Sequence, residues 1–377
     1  GTLAYSGDGG PAIQAGLRSV HKLWIDSSNR LYLADFYACT IRVISLTTGI
    51  IDRFAGVANC TNEASSDNIP ATSTSSGVPS SITSDTFGNV FYTDRTAQTI
   101  RQVNTQGIIS TIAGAGSSGY VDGEASSAKF NIPISLWMNT MGDFYVSDNL
   151  NCAVRKLTRS TNNVTTIMGQ GPNNCNYNGD NLAPTSTQLN SPFDAMEDTA
   201  GNLFVLDNGS NRVRLLSTST GLVTTFAGTG SASSCVDNTP ATSCALNQPV
   251  KIWIDALYNI FIVEFVGNKV RKIDTSGIVT TYAGTGSAGF GGDGGDAALA
   301  MLNQPLSIAM DTTGRMFIAD KLNYRVRMVE DVNTAVPSAQ PTRQPTFQPT
   351  FQPTRQPSSS APTILSNIWT VVGTGAK

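Results

Sequence analysis

The chain has 377 residues, a net charge of −3, 40% hydrophobic residues and only 14% charged ones, against a typical charged share of about 25%. A core can be built from this composition. The small negative charge argues against a nucleic-acid partner, and no apolar run reaches the roughly 20 residues of a membrane helix. Residues 1–10 show neither the charged nor the apolar stretch of a signal peptide, so a secreted form would have lost its leader.

In chain order, one pattern recurs six times. A short strand ends in an acid or amide: Asp26, Asp85, Asn139, Asp198, Asp255 and Asp311. A turn rich in Gly and Asn follows, then an apolar strand closing on an acid. These second strands are Leu31–Asp35, Val90–Asp94, Phe144–Asp148, Leu203–Asp207, Ile260–Glu264 and Met316–Asp320. Aromatic and β-branched runs around residues that accept positive φ are hairpin chemistry. A third strand carries an arginine in each copy: Arg42, Arg101, Arg155, Arg214, Arg271 and Arg327. Fourth strands begin at Ile50, Ile108, Val164, Leu222 and Ile278. Helical periodicity is absent. Six four-stranded antiparallel units predict an all-β fold, a six-bladed β-propeller.

The stretch Ala283–Gly295, with Leu302–Pro305 and Asn323–Arg327, resembles the NHL repeat, and the likeness extends over residues 1–329 in all six copies. It implies a six-bladed propeller. It implies no single activity, because propellers of this family serve as binding platforms, as structural modules and in places as lyases. The lyases hold a metal through several histidines. His21 is the single histidine here, so that activity is not carried over, and neither a metal nor another cofactor is expected.

The sixth unit lacks its fourth strand where the other units have one. The pattern returns at Ile368, Trp369, Thr370, Val371 and Val372, after an interruption at residues 330–367. The expected domains are therefore a propeller over 1–329, an extended Pro/Thr/Ser-rich linker over 330–367 and a closing strand over 368–377. The strand closes its own ring in cis, or it completes a neighbour in trans by strand addition. A third reading places the chain within a longer tandem array. The 26 residues Pro337–Pro362 span roughly 80 Å as polyproline II, against a propeller diameter of about 50 Å. That reach favours trans donation and a head-to-tail filament.

Cys39 and Cys152 occupy the same place in units one and three, and Cys60 and Cys175 follow strand four of those units, at separations of 21 and 23. Matched positions predict Cys39–Cys60 and Cys152–Cys175, leaving Cys235 with Cys244. Such pairing belongs to an oxidising compartment; free buried thiols are the alternative. Asn59, Asn163 and Asn208 head N-glycosylation sequons. The linker reads as an O-glycosylated stalk with candidates Thr342, Thr346, Thr350 and Thr354. It also resembles Pro-Thr repeats of plant and algal cell-surface glycoproteins. That resemblance implies hydroxylation and glycosylation at Pro341, Pro345, Pro349, Pro353 and Pro357.

Residues repeated in every blade read as scaffold, so the acids closing strand two and the arginines of strand three are taken as turn-forming or paired. The two Gly-Asp-Gly-Gly segments, with Asp8 and Asp293, read as tight turns. No catalytic residue stands out. The expectation is an extracellular structural glycoprotein that partners with itself as a filament and carries covalent glycans, with no nucleic acid bound and no membrane insertion. The alternatives are a monomeric secreted propeller, closed in cis, that binds a protein or glycan, and a propeller lyase or hydrolase.

Overall fold

The computed structural model describes residues 4–58, 66–331 and 366–374. The six units form six antiparallel sheets arranged as a propeller. The inner strands are Val20–Ile25, Pro79–Ser84, Pro133–Met138, Pro192–Glu197, Pro249–Ile254 and Pro305–Met310. Each is followed outward by the second, third and fourth strands read from the sequence.

The inner hairpin is built the same way in every blade. The side-chain oxygen of the residue ending the inner strand accepts two backbone N–H groups. Asp26 Oδ1 takes Ser28 N at 3.0 Å and Arg30 N at 2.9 Å, and Asp255 Oδ1 takes Leu257 N at 2.9 Å and Asn259 N at 2.8 Å. This is the Asx turn that short polar side chains favour. The turn needs one left-handed residue. Asn29, Gly88, Gly142, Gly201 and Gly314 supply it in five blades, and Tyr258, at φ 62°, in the fifth.

The acid closing each second strand is buried and accepts the backbone N–H that leads into its inner strand. Ser19 N reaches Asp35 at 2.8 Å, Asn131 N reaches Asp148 at 2.7 Å and Asn303 N reaches Asp320 at 2.7 Å. The third-strand arginines are buried beside these acids. Arg155, Arg271 and Arg327 pair with Asp148, Glu264 and Asp320 directly. In all six blades the arginine also pairs with an aspartate from the preceding crossover: Asp8, Asp67, Asp122, Asp180, Asp237 and Asp293. The Gly-Asp-Gly-Gly segments do turn tightly, with Gly7, Gly9, Gly292 and Gly294 at positive φ, and their aspartates serve as arginine clamps.

The hydrophobic core is divided among the blade interfaces. Phe91 of blade two, for example, packs on Phe144 and Val146 of blade three, with the two rings 4.9 Å apart. One feature departs from four strands per blade. Blades one, two, three and five gain a two-residue outer strand: Gly10–Pro11, Ile69–Pro70, Gly123–Glu124 and Thr239–Pro240. Single bridges, Leu182 to Val223 and Asp296 to Asn367, stand in the same place in blades four and six. Two residues are too few to carry a strand period.

The third strand of blade six runs to Asp331, and Ser366–Val372 pairs with it within this chain as the fourth strand. Ile368 and Val372 are buried and Trp369 points outward, 43% exposed. Gly294 N–H donates to Ile368 O at 2.8 Å, and Gly373 N–H to Ala12 O at 3.3 Å. The strand thus clasps blade six to the segment entering blade one.

Candidate functional site

Scaffold positions repeat; the positions facing the propeller axis do not. The six inner strands present their third residues as a ring across the channel: Lys22, Ser81, Ser135, Asp194, Lys251 and Ser307. All six are nearly inaccessible to solvent. Lys22 Nζ lies 3.0 Å from Asp194 Oδ1, and Lys251 Nζ lies 2.8 Å from Asp194 Oδ2. Ser135 Oγ donates to the same carboxylate, as does Ile252 N at 3.2 Å. Burial alone would raise the Asp194 carboxyl. Lys22, Lys251 and the hydrogen bonds outweigh it and hold the group down at about 2. Burial, with Lys251 beside it, outweighs the attraction of Asp194 and draws the Lys22 ammonium down to about 8. One carboxylate therefore serves two ammonium groups, and the ring carries one positive charge in excess near neutrality.

Toward the face bearing the second-strand acids, the channel widens into a funnel of about 280 Å³. Its wall is the ring of second residues: His21, Ser80, Ile134, Phe193, Val250 and Leu306. Its rim is formed by residues that follow the acids, Arg95, Asn149, Asn208, Phe265 and Lys321; the equivalent Phe36 stands behind His21. Arg95 sits over the Phe36 ring at 5.8 Å and Lys321 over the Phe265 ring at 5.0 Å. Among the described residues neither Arg95 nor Lys321 reaches a carboxylate within ion-pair distance. His21 stacks on Phe36 at 3.9 Å; burial first, then Lys321 and Arg95, lower its imidazole to about 3, so it is neutral at physiological pH. Four cationic residues, Lys22, Arg95, Lys251 and Lys321, line the funnel with the neutral His21, and no acidic residue does.

The opposite mouth has the other character. Its cavity, about 470 Å³, is lined by Trp24, Trp137, Met138, Met196, Glu197, Asp198, Asp255 and Tyr258. Trp24 lies 6.1 Å from Trp137 and 6.3 Å from Trp253, ring centroid to centroid. The left-handed Tyr258 bonds through its hydroxyl to Thr199, and Tyr145 donates to Glu197. The axis thus runs from a basic funnel, through a salt-bridged plug, to an aromatic and acidic mouth.

The sites expected from the sequence lie elsewhere, with one exception. Cys152–Cys175 and Cys235–Cys244 are disulfides, with Cα atoms 5.4 and 5.1 Å apart. Cys39 is disulfide-bonded too, and its expected partner Cys60 lies outside the described residues, as does Asn59. The linker candidates from Pro341 to Pro357 are also outside them. Asn163 is exposed at the start of a fourth strand. Asn208 is the exception: it stands on the funnel rim with its amide nitrogen donating to Pro249 O at 3.0 Å, and the hydroxyl-bearing Ser210 of its sequon is buried. The channel residues went unnoticed in the sequence because they do not recur. Aligning the six copies shows the signal: serines broken by Lys22, Asp194 and Lys251 at one otherwise equivalent position. Among the described residues no group of three His, Cys, Asp or Glu side chains is placed to hold a metal, and no helix is long and apolar enough to cross a membrane.

Six radial antiparallel sheets closed by a C-terminal strand define a six-bladed β-propeller. Residues 116–290 of this propeller match the family model of the teneurin NHL domain. The protein Suppressor of Quenching 1, chloroplastic, of Arabidopsis thaliana is 26% identical over 235 residues, which is 60% of this chain. The chain spans only 22% of that relative's length. A Bacteroides thetaiotaomicron protein of unknown function superposes with a TM-score of 0.61 at 18% identity, over 87% of this chain and 74% of that one. A gluconolactonase from Xanthomonas campestris does so with a TM-score of 0.52 at 12% identity, over 80% and 82%. At such identities the likeness extends to the fold alone.

Proposed function

We propose that this chain is a ligand-binding propeller of an oxidising, extracytosolic compartment, and that the axial channel holds the ligand. One observation carries the reading. At positions equivalent in all six blades, the channel breaks the repeat with charged and aromatic residues that the scaffold does not need. Ligand sites are concave and combine apolar walls with convergent polar groups, and the funnel does so with Ile134, Phe193, Val250 and Leu306 beside Lys22, Arg95, Lys251 and Lys321. The disulfides support the compartment. A panel of glycans and small metabolites screened by thermal shift tests the function. Stabilising ligands should lose their effect in Asn149→Trp, which narrows the funnel mouth, while its melting without ligand stays near that of the parent. Ligands that stabilise both proteins equally would move the site elsewhere.

A second reading keeps the self-assembling glycoprotein. The closing strand is held by hydrogen bonds and by the burial of Ile368 and Val372, contacts that an identical strand from a neighbour would reproduce. Glycans on Asn59, Asn163 and the Pro/Thr stalk would then coat a filament. Mass by light scattering across a range of concentrations tests it: oligomers that disappear on deleting residues 364–377 support it, and a monomer at every concentration rejects it.

A further inference from the structure

We propose that the basic funnel binds a small organic oxyanion, a carboxylate or phosphate on a compact apolar body. The proposal rests on the channel reading above and names the ligand class. Three observations converge on it. Asp194 is the sole carboxylate of the channel floor, and it already serves both Lys22 and Lys251. The floor therefore keeps an excess positive charge in a buried place, where an uncompensated charge is costly. At the rim, Arg95 and Lys321 are half-buried, lean on Phe36 and Phe265, and have no carboxylate partner among the described residues. Guanidinium and ammonium groups converging from rim and floor are the recognition chemistry of an oxyanion, and a planar guanidinium can hold one bidentately.

The charge is local. The chain as a whole carries −3, so the funnel is a basic spot on an acidic protein rather than part of a basic surface. Size and wall complete the specification. About 280 Å³ is at the lower end of ligand pockets, which excludes a polymer lying in it. Ile134, Phe193 and Leu306 form an apolar wall between rim and floor, which suits a hydrocarbon or aromatic body beneath or behind the charged head.

Isothermal titration of the whole chain with phenyl phosphate, benzoate and benzyl alcohol tests the proposal. The three probes share a body and differ in the head. At least one anion is expected to bind about tenfold more tightly than the alcohol, and the tighter anion identifies the head group. Its affinity is expected to fall with added salt and to drop about tenfold or more in Arg95→Gln/Lys321→Gln, a variant whose melting should stay near that of the parent. The salt series on the unaltered protein gives the answer even if that variant folds poorly. Equal binding of alcohol and anions, abolished by Asn149→Trp, overturns the anion class and leaves the channel reading standing. Anion binding that ignores both variants overturns the two together. No saturable binding of either anion up to roughly 10 mM overturns the proposal.

Discussion

Lys22 of blade one and Asp194 of blade four, 172 residues apart, meet inside the propeller channel with Nζ 3.0 Å from Oδ1. Lys251 completes the group from blade five. Asp194→Asn leaves two buried ammonium groups without a counter-ion, and a loss of about 3–5 kcal/mol is expected in urea unfolding. The triple variant Lys22→Met/Asp194→Leu/Lys251→Met removes the whole group and should recover most of that stability. If the triple variant is stable and still binds the phosphate or carboxylate probe as the parent does, the ion group has no part in recognition.

Binding of the anion should weaken as pH rises through about 8, where Lys22 loses its proton. The groups around it are Asp194, which stays ionised, Lys251 and the neutral His21 on the wall above. Titration calorimetry at pH 7 and pH 9 checks this, with the weaker binding expected at pH 9.

Stability should be highest in mild acid. Burial pushes all six second-strand acids up, Asp35, Asp94 and Glu264 among them, with Asp148 and Asp320 at about 6 and Asp207 at about 7. Between the unfolded carboxyl value near 4 and these raised values, the folded chain binds more protons than the unfolded one, so stability rises as pH falls. His21 opposes this, because it stays neutral when folded down to about 3 and takes up a proton when unfolded below about 6.5. Six acids outnumber one histidine, so the melting temperature should be higher at pH 5 than at pH 7.5, and higher still in His21→Phe at pH 5. A melting temperature that falls steadily from pH 7.5 to pH 5 would contradict the assignment.

The scaffold was legible in the sequence because its residues repeat. The acid or amide ending each inner strand, the acid ending each second strand and the arginine of each third strand recur, and in every blade the first closes a turn and the last pairs with a crossover aspartate. The sixth-blade interruption and the return of a strand at Ile368 were legible for the same reason, and the strand occupies the slot that the repeat leaves open. Two things were hidden. The partner of each arginine, an aspartate 33 or 34 residues earlier, lies in the loop between blades, where no strand pattern marks it. The channel was hidden because residues such as Lys22, Asp194 and Arg95 matter by differing from their equivalents, and they meet only when the ring closes.

The closing strand should show its alternation energetically. Ile368→Ala is expected to cost about 2–5 kcal/mol, since Ile368 is buried between Ala297, Ala300 and Val329. Trp369→Ala, on the exposed side of the same strand, should cost much less. Chemical unfolding of the two variants compares them directly; equal losses would show that the strand does not hold this register.

Removing Cys152–Cys175 by paired serine substitution should cost about 3 kcal/mol, and removing Cys235–Cys244 somewhat less, because the second bridge closes a shorter loop. Thermal melting ranks the two variants. Thiol labelling of the folded protein should find none of the four described bridge cysteines, Cys152, Cys175, Cys235 and Cys244, reactive.

The most direct measurement is a crystal structure of the whole chain grown with phenyl phosphate. The expected result is density for the phosphate in the funnel, within hydrogen-bonding distance of Arg95, Lys321 or the Lys22–Lys251 floor, with the ring against Phe193 and Ile134. Phosphate density at another surface, with solvent alone in the funnel, would contradict the account.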